Sequence, residues 1–464
     1  MKSVLCSLLV FLSWLTAHAA PPPPELSNTY RDGKPVLQWR SPSVRNPDGV
    51  DSFRLYRSAK ASEQGEKIGE WKRVRARNQE YRDSSLSLKK AFYRLTAVDR
   101  AGNESALSNT VEVSLLPDLT LGSGDRVSLN PALATSKMYP KTGETVSFQA
   151  KVRNAGAEAS QPVRFLVQDQ AGTIVKELQL PAIPSGCEET VTFEYTPKRT
   201  GEYELILTAD PDNSVPDADR DNNRLSLKAA AADRDVRFIW YGDVLRLPYA
   251  NSGQCLPPSC AEWRRRGAWA MAGVGTGENA LQEYKKLAAS GDYDGICIDE
   301  IFLFTEAAQR MVKFLPELKK AYPNFKIALW TIGEDTAPEI AELVRNGTVD
   351  LLMFEVYIKP GESFDPLKKT IANLRKHRIA NKSLIGLVTH KDWNNWKDAQ
   401  TQAQSVIAQL RLIRELAPEI PGAAFWSDDA QPGVIEAVDR ACYDLFLKGT
   451  PSEPTHAPKQ GGSK

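Results

Sequence analysis

The pattern of apolar residues changes once along this chain, near residue 235, and that change limits the folds the chain can adopt. Before it, short segments alternate apolar and polar residues between turn residues, which predicts antiparallel strands without helices. After it, continuous apolar runs alternate with amphipathic segments of helical period. Strands of a buried parallel sheet produce such runs. The chain is therefore predicted to be multidomain, with two β-sandwiches followed by a β/α domain.

The β/α region, residues 235–449, contains seven recognisable strands, from FIWYGD to GAAFWSDD. They predict an α/β (β/α)8 barrel of the TIM type, which we expect to fold as a separable domain. One strand is missing from the pattern. It could lie in the Gly-rich stretch before Glu278, or the barrel could be incomplete. An open doubly wound sheet is disfavoured because no Gly-rich phosphate turn follows the first strand.

The first nineteen residues have the organisation of an export signal. Lys2 precedes an apolar run over residues 4–15, and Ala17-His18-Ala19 fits the small-x-small pattern of a cleavage site. We therefore predict a signal peptide at 1–19, a secreted or periplasmic protein, and no transmembrane segment once the signal is removed. Residues 450–464 are rich in Pro, Ser and Gly and are predicted to be a disordered tail.

Composition limits the partners of the protein. The net charge of +1 and the lack of a basic stripe exclude nucleic acid. The chain has four histidines, no two of them at metal-ligand spacing, so neither a metal nor another cofactor is expected. Cys255 and Cys260 bracket the short segment CLPPSC and are predicted to form a disulfide in an exported chain.

The first module, residues 24–115, resembles a fibronectin type III domain. The resemblance rests on Trp39, on Leu55-Tyr56-Arg57 and on the segment YRLTAVD that begins at Tyr93. It implies an immunoglobulin-like sandwich with Trp39 in its core. The hydroxyl of Tyr93 is placed where it can bind back to an upstream loop.

The second module, residues 117–230, resembles the CARDB (cell-adhesion-related) domain, through VRNAG at 152–156 and the acidic stretch 210–223. The stretch has calcium-like acid spacing but lacks a glycine at the sixth position from Asp217 and has Lys228 at the twelfth. We therefore favour acids that close turns over a calcium site. A role for both sandwiches in contacts with a cell surface or matrix is expected.

Polar and aromatic residues recur where the predicted barrel strands end. In such a barrel the carboxyl ends of the strands form the functional face. Aromatic rings stack on sugars and carboxylates bind hydroxyls or move protons, so the expected ligand is a polysaccharide or oligosaccharide. The residues in question are Tyr241, Asp243, Asp299, Glu300, Trp330, Glu355, Tyr357, His390, Trp426 and Asp428.

Residues two apart in a strand share a face. Four alternating sets are therefore predicted to face the barrel interior, and each ends in a polar residue. Glu300 is expected just beyond its strand, where a loop can turn it inward. The four sets are Gly295, Cys297 and Asp299; Met353, Glu355 and Tyr357; Gly386, Val388 and His390; and Ala424, Trp426 and Asp428.

The barrel resembles chitinase-type glycoside hydrolases and polygalactosaminidase-like barrels. The resemblance rests on DGICIDE at 294–300, MFEVY at 353–357, IGLVTH at 385–390 and GAAFW at 422–426, which occur in the family order. It implies the fold and a sugar-binding character. The sequence departs from the chitinase pattern at Cys297, Glu300 and Glu355, so the specific reaction stays open.

Glycoside hydrolysis needs one carboxyl as acid and another as base or nucleophile. Glu300 is predicted to be the acid and Glu355 its partner, with Asp299 beside them. The other mouth residues, together with Trp330, are predicted to bind substrate. The sequence thus predicts a secreted glycoside hydrolase. The alternatives are a non-catalytic carbohydrate-binding or adhesion protein with a degenerate barrel, and a lyase.

Overall fold

The computed structural model describes most of the chain, namely residues 20–31, 34–40, 49–73, 78–86, 88–242, 244–302, 305–332, 335–391, 396–427, 429–431 and 433–448. The predicted signal peptide and C-terminal tail lie outside these residues. So do Asp243 and Asp428, both predicted to bind substrate. Glu300 and Phe302 are described by their backbone alone.

The first module is an antiparallel sandwich with sheets of order β1-β2-β5 and β4-β3-β6-β7. Its described strands are β1 (Leu26–Arg31), β2 (Lys34–Arg40), β3 (Val50–Ser58), β4 (Glu66–Lys72), β5 (Asn78–Tyr81), β6 (Lys90–Asp99) and β7 (Val111–Ser114). Trp39 is buried in the core. The Tyr93 hydroxyl donates to the Asp83 carboxylate at 2.7 Å, so the predicted bond to an upstream loop is confirmed. The fibronectin type III assignment stays a prediction.

The second module is also an antiparallel sandwich, with sheets β13-β10-β8, to which β9 adds, and β12-β11-β14-β15. Its elements are β8 (Leu119–Thr120), β9 (Leu133–Thr135), β10 (Val146–Asn154), β11 (Val163–Asp169), β12 (Ile174–Leu180), β13 (Glu188–Tyr195), β14 (Gly201–Ala209), a 3-10 helix (Arg220–Asn223) and β15 (Arg224–Ala231). Asp210 accepts from the backbone N–H groups of Ser214 and Val215, and Asp217 accepts from that of Asp219. These acids close turns, as predicted.

The C-terminal region forms a closed barrel of eight parallel strands with seven helices in its described residues. The strands are β16 (Arg237–Tyr241), β17 (Ser252–Gln254), β18 (Trp269–Val274), β19 (Gly295–Phe302), β20 (Lys326–Ile332), β21 (Leu351–Glu355), β22 (Ser383–Val388) and β23 (Gly422–Trp426). The helices are α1 (Pro257–Arg265), α2 (Ala280–Ser290), α3 (Glu306–Ala321), α4 (Pro338–Arg345), α5 (Asp365–Lys376), α6 (Ala399–Leu416) and α7 (Val434–Phe446), with a 3-10 helix at Ala380–Lys382. None of the described helices is long and apolar enough to cross a membrane.

Closure of the barrel corrects the position predicted for the eighth strand. That strand is β17, and it lies well before Glu278. It is short and polar, and its middle residue, Gly253, packs against the ring of Trp263 from α1. A Cβ at Gly253 would lie 2.5 Å from that ring. The strand has no run of apolar residues that would predict it, because its outward-facing position is a glycine. The open-sheet and incomplete-barrel alternatives are wrong.

Side chains of the barrel strands alternate between the interior and the helix layer. The interior cluster contains Cys297, Met353 and Ala424, so the inward-facing sets predicted from alternation are confirmed at these positions. Their chain neighbours belong to the larger core between strands and helices, for example Ile296, Phe354 and Phe425. The alternation brings the last residues of each inward set to the carboxyl-end mouth of the barrel.

The second sandwich covers the one flank of the barrel that lacks a helix. Residues 242 and 244–251, the described part of the link from β16 to β17, contain no helix, and a parallel sheet needs cover on both faces. Tyr139 supplies it. Its ring meets that of outward-facing Phe238, with centroids 6.3 Å apart, and its hydroxyl donates to the Tyr249 carbonyl at 2.7 Å. Tyr139 is 4 % exposed and belongs to the barrel's core.

Polar contacts extend this interface to the helices on either side of the flank. Arg126 lies over the rings of Tyr249 and Tyr443 and pairs with Glu202 at 2.8 Å, while the Tyr443 hydroxyl donates to the same carboxylate. Arg265 of α1 donates to two backbone carbonyls of the sandwich. The interface argues against the expectation that the barrel folds as a separable domain.

Removing the Tyr139 ring should destabilise the barrel itself. Tyr139→Ala opens a cavity beneath the sandwich and should lower the free energy of unfolding by about 3 kcal/mol, measured by urea denaturation. Tyr139→Phe keeps the ring and loses only the hydrogen bond, so it should cost about 1 kcal/mol. Equal stability of the alanine variant and the wild type would show that the sandwich is not part of the barrel's core.

A buried acid in α7 should make stability depend on pH. Burial raises the pKa of Asp439 to about 7, and one of its oxygens has no partner while the other accepts from the Tyr249 N–H at 3.1 Å. The folded state therefore favours the protonated acid, and its stabilising contribution is lost as pH rises from about 4 to 7.

Asp439→Asn removes this titration. The free energy of unfolding of the variant, relative to that of the wild type, should rise by on the order of 2 kcal/mol between pH 5 and pH 8. Thermal melts at the two pH values measure the difference. The same pH dependence in both proteins would mean that another group causes it.

Candidate functional site

Two acidic residues, Asp299 and Glu300, lie in β19 near the carboxyl end of the strand. The strand runs to Phe302, so Glu300 lies within it and not beyond it, which corrects the prediction. The pairing of β19 with β20 shifts between Ile298 and Ile301. Such a β-bulge sets Asp299 and Glu300 opposite one residue of β20 and interrupts the alternation of faces. Alternation alone could therefore not place Glu300.

A third carboxylate enters the mouth from another strand. Glu355 is the last residue of β21, is half-buried, and is paired with Gly386 of β22. One strand, β20, separates β19 from β21. Since neighbouring strands lie about 4.8 Å apart, the backbones at Asp299 and Glu355 are roughly 10 Å apart along the rim of the mouth. Asp299 and Glu355 thus lie on different strands at one end of the barrel.

Three rings form a stack beside these carboxylates. Trp426, at the end of β23, stacks with His390 at a centroid distance of 4.6 Å and with Tyr357 at 5.8 Å, the planes within 27°. All three are half-buried, so each keeps part of its surface exposed at the mouth. Tyr241 ends the neighbouring strand β16 opposite Trp426. Its carbonyl accepts a hydrogen bond from Ser427. The structure therefore brings these four predicted residues together.

Backbone contacts hold the loops behind this ring stack. His390 forms an isolated β-bridge with Ala430, and the Lys391 ammonium lies 3.4 Å from the Asp429 carboxylate. The loops that follow β22 and β23 are thus joined on the mouth side of the barrel. This contact fixes the position from which His390 meets Trp426.

Trp330 does not lie where its predicted role requires. It is 2 % exposed and belongs to the interior cluster of the barrel. Gly386 of β22 makes room for it, since a Cβ there would lie 3.2 Å from the indole. Its faces are covered by the core, so it fills the barrel below the mouth and offers no surface for a ligand to stack on.

Gln254 is a mouth residue that the sequence reasoning missed. It ends β17, the strand that the apolar pattern did not show. Its side chain lies near the Cys297 thiol and against Gly273, where a Cβ would come within 2.7 Å of its oxygen. Burial raises the pKa of Cys297 to about 12, and the nearby charge of Asp299 adds to the rise. The available signal was a polar residue directly after Gly253, on a strand whose neighbour β18 also contains a glycine, Gly273.

The expected Cys255–Cys260 disulfide is not formed in the structure, which has both residues as free thiols. Burial, together with the neighbouring Cys260, raises the pKa of Cys255 above its usual value. Cys260 lies within α1, where its thiol also contacts the Leu256 carbonyl at 3.3 Å. The thiol of Cys260 therefore has a hydrogen-bond acceptor in the structure without forming a disulfide.

Among the described residues, no cluster of three or more His, Cys, Asp or Glu side chains could hold a metal ion.

Stability separates a core tryptophan from a ligand-binding one. Trp330→Ala should lower the free energy of unfolding by about 3–5 kcal/mol because it empties the barrel interior. Trp426→Ala removes a half-exposed ring and should cost roughly 1 kcal/mol. Chemical denaturation of both variants measures the two values. Equal stability of the Trp330→Ala and Trp426→Ala variants would contradict the assignment of Trp330 to the barrel core.

Comparison with known proteins identifies one part of the chain. A sequence model of the CARDB family matches residues 116–227. A CARDB domain from Pyrococcus furiosus, solved with di-metal ions, is 20% identical, covers 25% of this chain and 89% of its own, and gives a TM-score of 0.21. No curated protein matches the chain.

Larger solved structures resemble the chain more distantly. A GH2 beta-galacturonidase from Eisenbergiella tayi is 10% identical over 91% of this chain and 90% of its own, with a TM-score of 0.37. A cycloisomaltooligosaccharide glucanotransferase from Paenibacillus sp. is 13% identical over 57% and 54%, with a TM-score of 0.32. Scores this low carry no argument about activity. The family shown by these comparisons covers one module, and residues 116–227 form a CARDB domain.

Proposed function

We propose that the barrel is the catalytic domain of a secreted glycoside hydrolase that cleaves a polysaccharide. The observation that carries this proposal is the meeting, at one barrel mouth, of acidic residues from two strands with a stack of aromatic rings. The carboxyl-end face is where barrels of this type place their active sites. An arrangement of acids beside exposed rings suits a sugar chain better than it suits an apolar or a nucleic-acid ligand.

The carboxylates supply the acid and base chemistry of the proposal. Cleavage of a glycosidic bond requires a proton for the leaving oxygen and an ionised carboxylate on the other side of the bond. We assign the proton donor to Glu300 and the second carboxylate to Glu355. β19 and β21 lie two strands apart on the rim of the barrel, so side chains of this length can reach one bond bound above β20 from its two sides. Asp299, beside Glu300 at the bulge, supplies further negative charge near the developing positive charge of the sugar ring.

The rings supply binding. The faces of Trp426 and Tyr357 offer stacking surfaces for the C–H groups of a pyranose, while His390 and Tyr241 offer hydrogen bonds to its hydroxyls. Asp243 and Asp428 belong to the same proposed set by their places after β16 and β23. A chain of several sugars would lie across the mouth, with the ring stack on one side.

The sandwiches hold the barrel near its substrate in this proposal. Export by the N-terminal signal would bring the protein to a compartment where polysaccharides are accessible. The fibronectin type III-like and CARDB domains would then act as spacers or as contacts with a cell surface or matrix.

Glu300→Gln and Glu355→Gln should each lower hydrolysis by a factor of about a hundred or more, because glutamine keeps the size of the side chain but cannot transfer a proton or carry the charge. New reducing ends released from a polysaccharide panel measure the activity. Trp426→Ala should instead weaken glycan binding through lost stacking. Glu317→Gln, an exposed glutamate on α3 that pairs with Lys285, is the matched control and should keep full activity.

The result of the panel also separates the alternatives. Binding without cleavage by the wild type would favour the non-catalytic carbohydrate-binding or adhesion protein. Cleavage that yields an unsaturated sugar end, seen by ultraviolet absorbance, would favour a lyase. Full activity of both glutamine variants would refute the assigned pair, and a wild type that neither binds nor cleaves any glycan would refute the carbohydrate proposal.

A further inference from the structure

A cavity of about 930 Å³ lies at the opposite end of the barrel, where the strands begin. Its wall includes Arg237, Trp269 and Lys326, the first residues of β16, β18 and β20. Lys137 of the CARDB domain adds to it from the interface side. The volume is in the range that proteins use for small-molecule ligands. No part of the mouth site lies in this cavity.

Arg237 is a buried cation in this wall, 7 % exposed. Its guanidinium carbon lies 3.6 Å from the centre of the Trp269 ring, and one terminal nitrogen donates to the Asn251 carbonyl at 3.3 Å. Its Nε is buried without a hydrogen-bond partner. Burial lowers the pKa of Arg237 to about 10, against the attraction of nearby acids. Among the described residues, no carboxylate lies within ion-pair distance of it.

The acids that line the cavity are already engaged. Asp235 pairs with Lys137 at 2.7 Å, and Asp350 pairs with Lys319 at 2.7 Å and with Lys326 at 3.4 Å. Asp294 accepts from the Ala270 backbone N–H at 2.8 Å. Against these three carboxylates the wall has five basic side chains, Lys137, Arg237, Arg264, Lys326 and Lys382. A buried charge without a counter-ion is costly, so the surplus of positive charge favours an anion from solution.

We propose that this cavity is a binding site for a small molecule that carries an oxyanion, a carboxylate or a phosphate group. Arg237 is its anchor. Its guanidinium lies over the Trp269 ring, and its Nε, buried without a partner, is the donor that we assign to an oxygen of the anion. Lys326, whose ammonium lies 5.4 Å from the same ring and 3.4 Å from the Asp350 carboxylate, is a second cation of the wall, and it shares Asp350 with Lys319. The site is independent of the proposed hydrolysis, since it lies at the other end of the barrel.

Calorimetric titration of the full chain with inorganic phosphate and with succinate tests the site, and succinamide serves as the uncharged control. Neither probe is a sugar, so the mouth is not tested at the same time. We expect at least one anion to bind and to raise Tm, more weakly at high salt, while succinamide does not. Binding of phosphate alone or of succinate alone would identify which oxyanion the site takes.

Two variants assign the binding to the cavity. Arg237→Met should weaken it at least about tenfold and Lys326→Gln roughly threefold. Lys368→Gln, an exposed lysine on α5 paired with Asp365, should leave it unchanged. If Arg237→Met does not fold, Lys326→Gln still decides. No binding of either anion, equal binding of succinamide, or unchanged affinity in the folded Lys326→Gln variant would overturn the proposal.

Discussion

Tyr139 and Arg126 of the CARDB domain pack onto the barrel between α7 and α1, where outward-facing Phe238 would otherwise meet water. A parallel barrel is stable only when its strands are covered on the outside, and here seven described helices cover eight strands. The sandwich supplies the missing cover. The position of β16, and with it the mouth and the opposite cavity, depends on this contact.

The fold was largely predictable because burial on both sides leaves a strong pattern. Runs such as GICI and DLLMF report strands with an apolar layer on each face, and their alternation correctly separated Cys297 and Met353 from their outward neighbours. β17 was not predictable in this way. The outward-facing residue of β17 is Gly253, because the ring of Trp263 from α1 occupies the space that a side chain would need. The apolar residue that covers this part of the barrel therefore belongs to the helix and not to the strand. The role of the sandwich as cover was also hidden, since no local pattern reports a contact between modules.

The candidate site was predictable where a strand ends regularly. Glu355, Tyr357 and Trp426 follow from counting residues along straight strands, and the structure brings them to one mouth. Counting fails at the β19 bulge, which shifts Glu300 relative to Asp299. Counting residues also fails to place Trp330. Its indole is buried in the barrel interior because Gly386, on a facing strand, leaves room for it there. Gln254 was missed together with its strand.

The interface between the second sandwich and the barrel limits where recombination can exchange parts of this chain. Modular proteins exchange domains at linkers that few contacts cross. The junction near residue 232 is not such a linker, because Tyr139 lies in the barrel's core and Arg265 of α1 binds back to the sandwich. Recombination that cut there would give two fragments with exposed apolar surfaces. The unit that recombination would have to keep intact is therefore the CARDB domain and the barrel together.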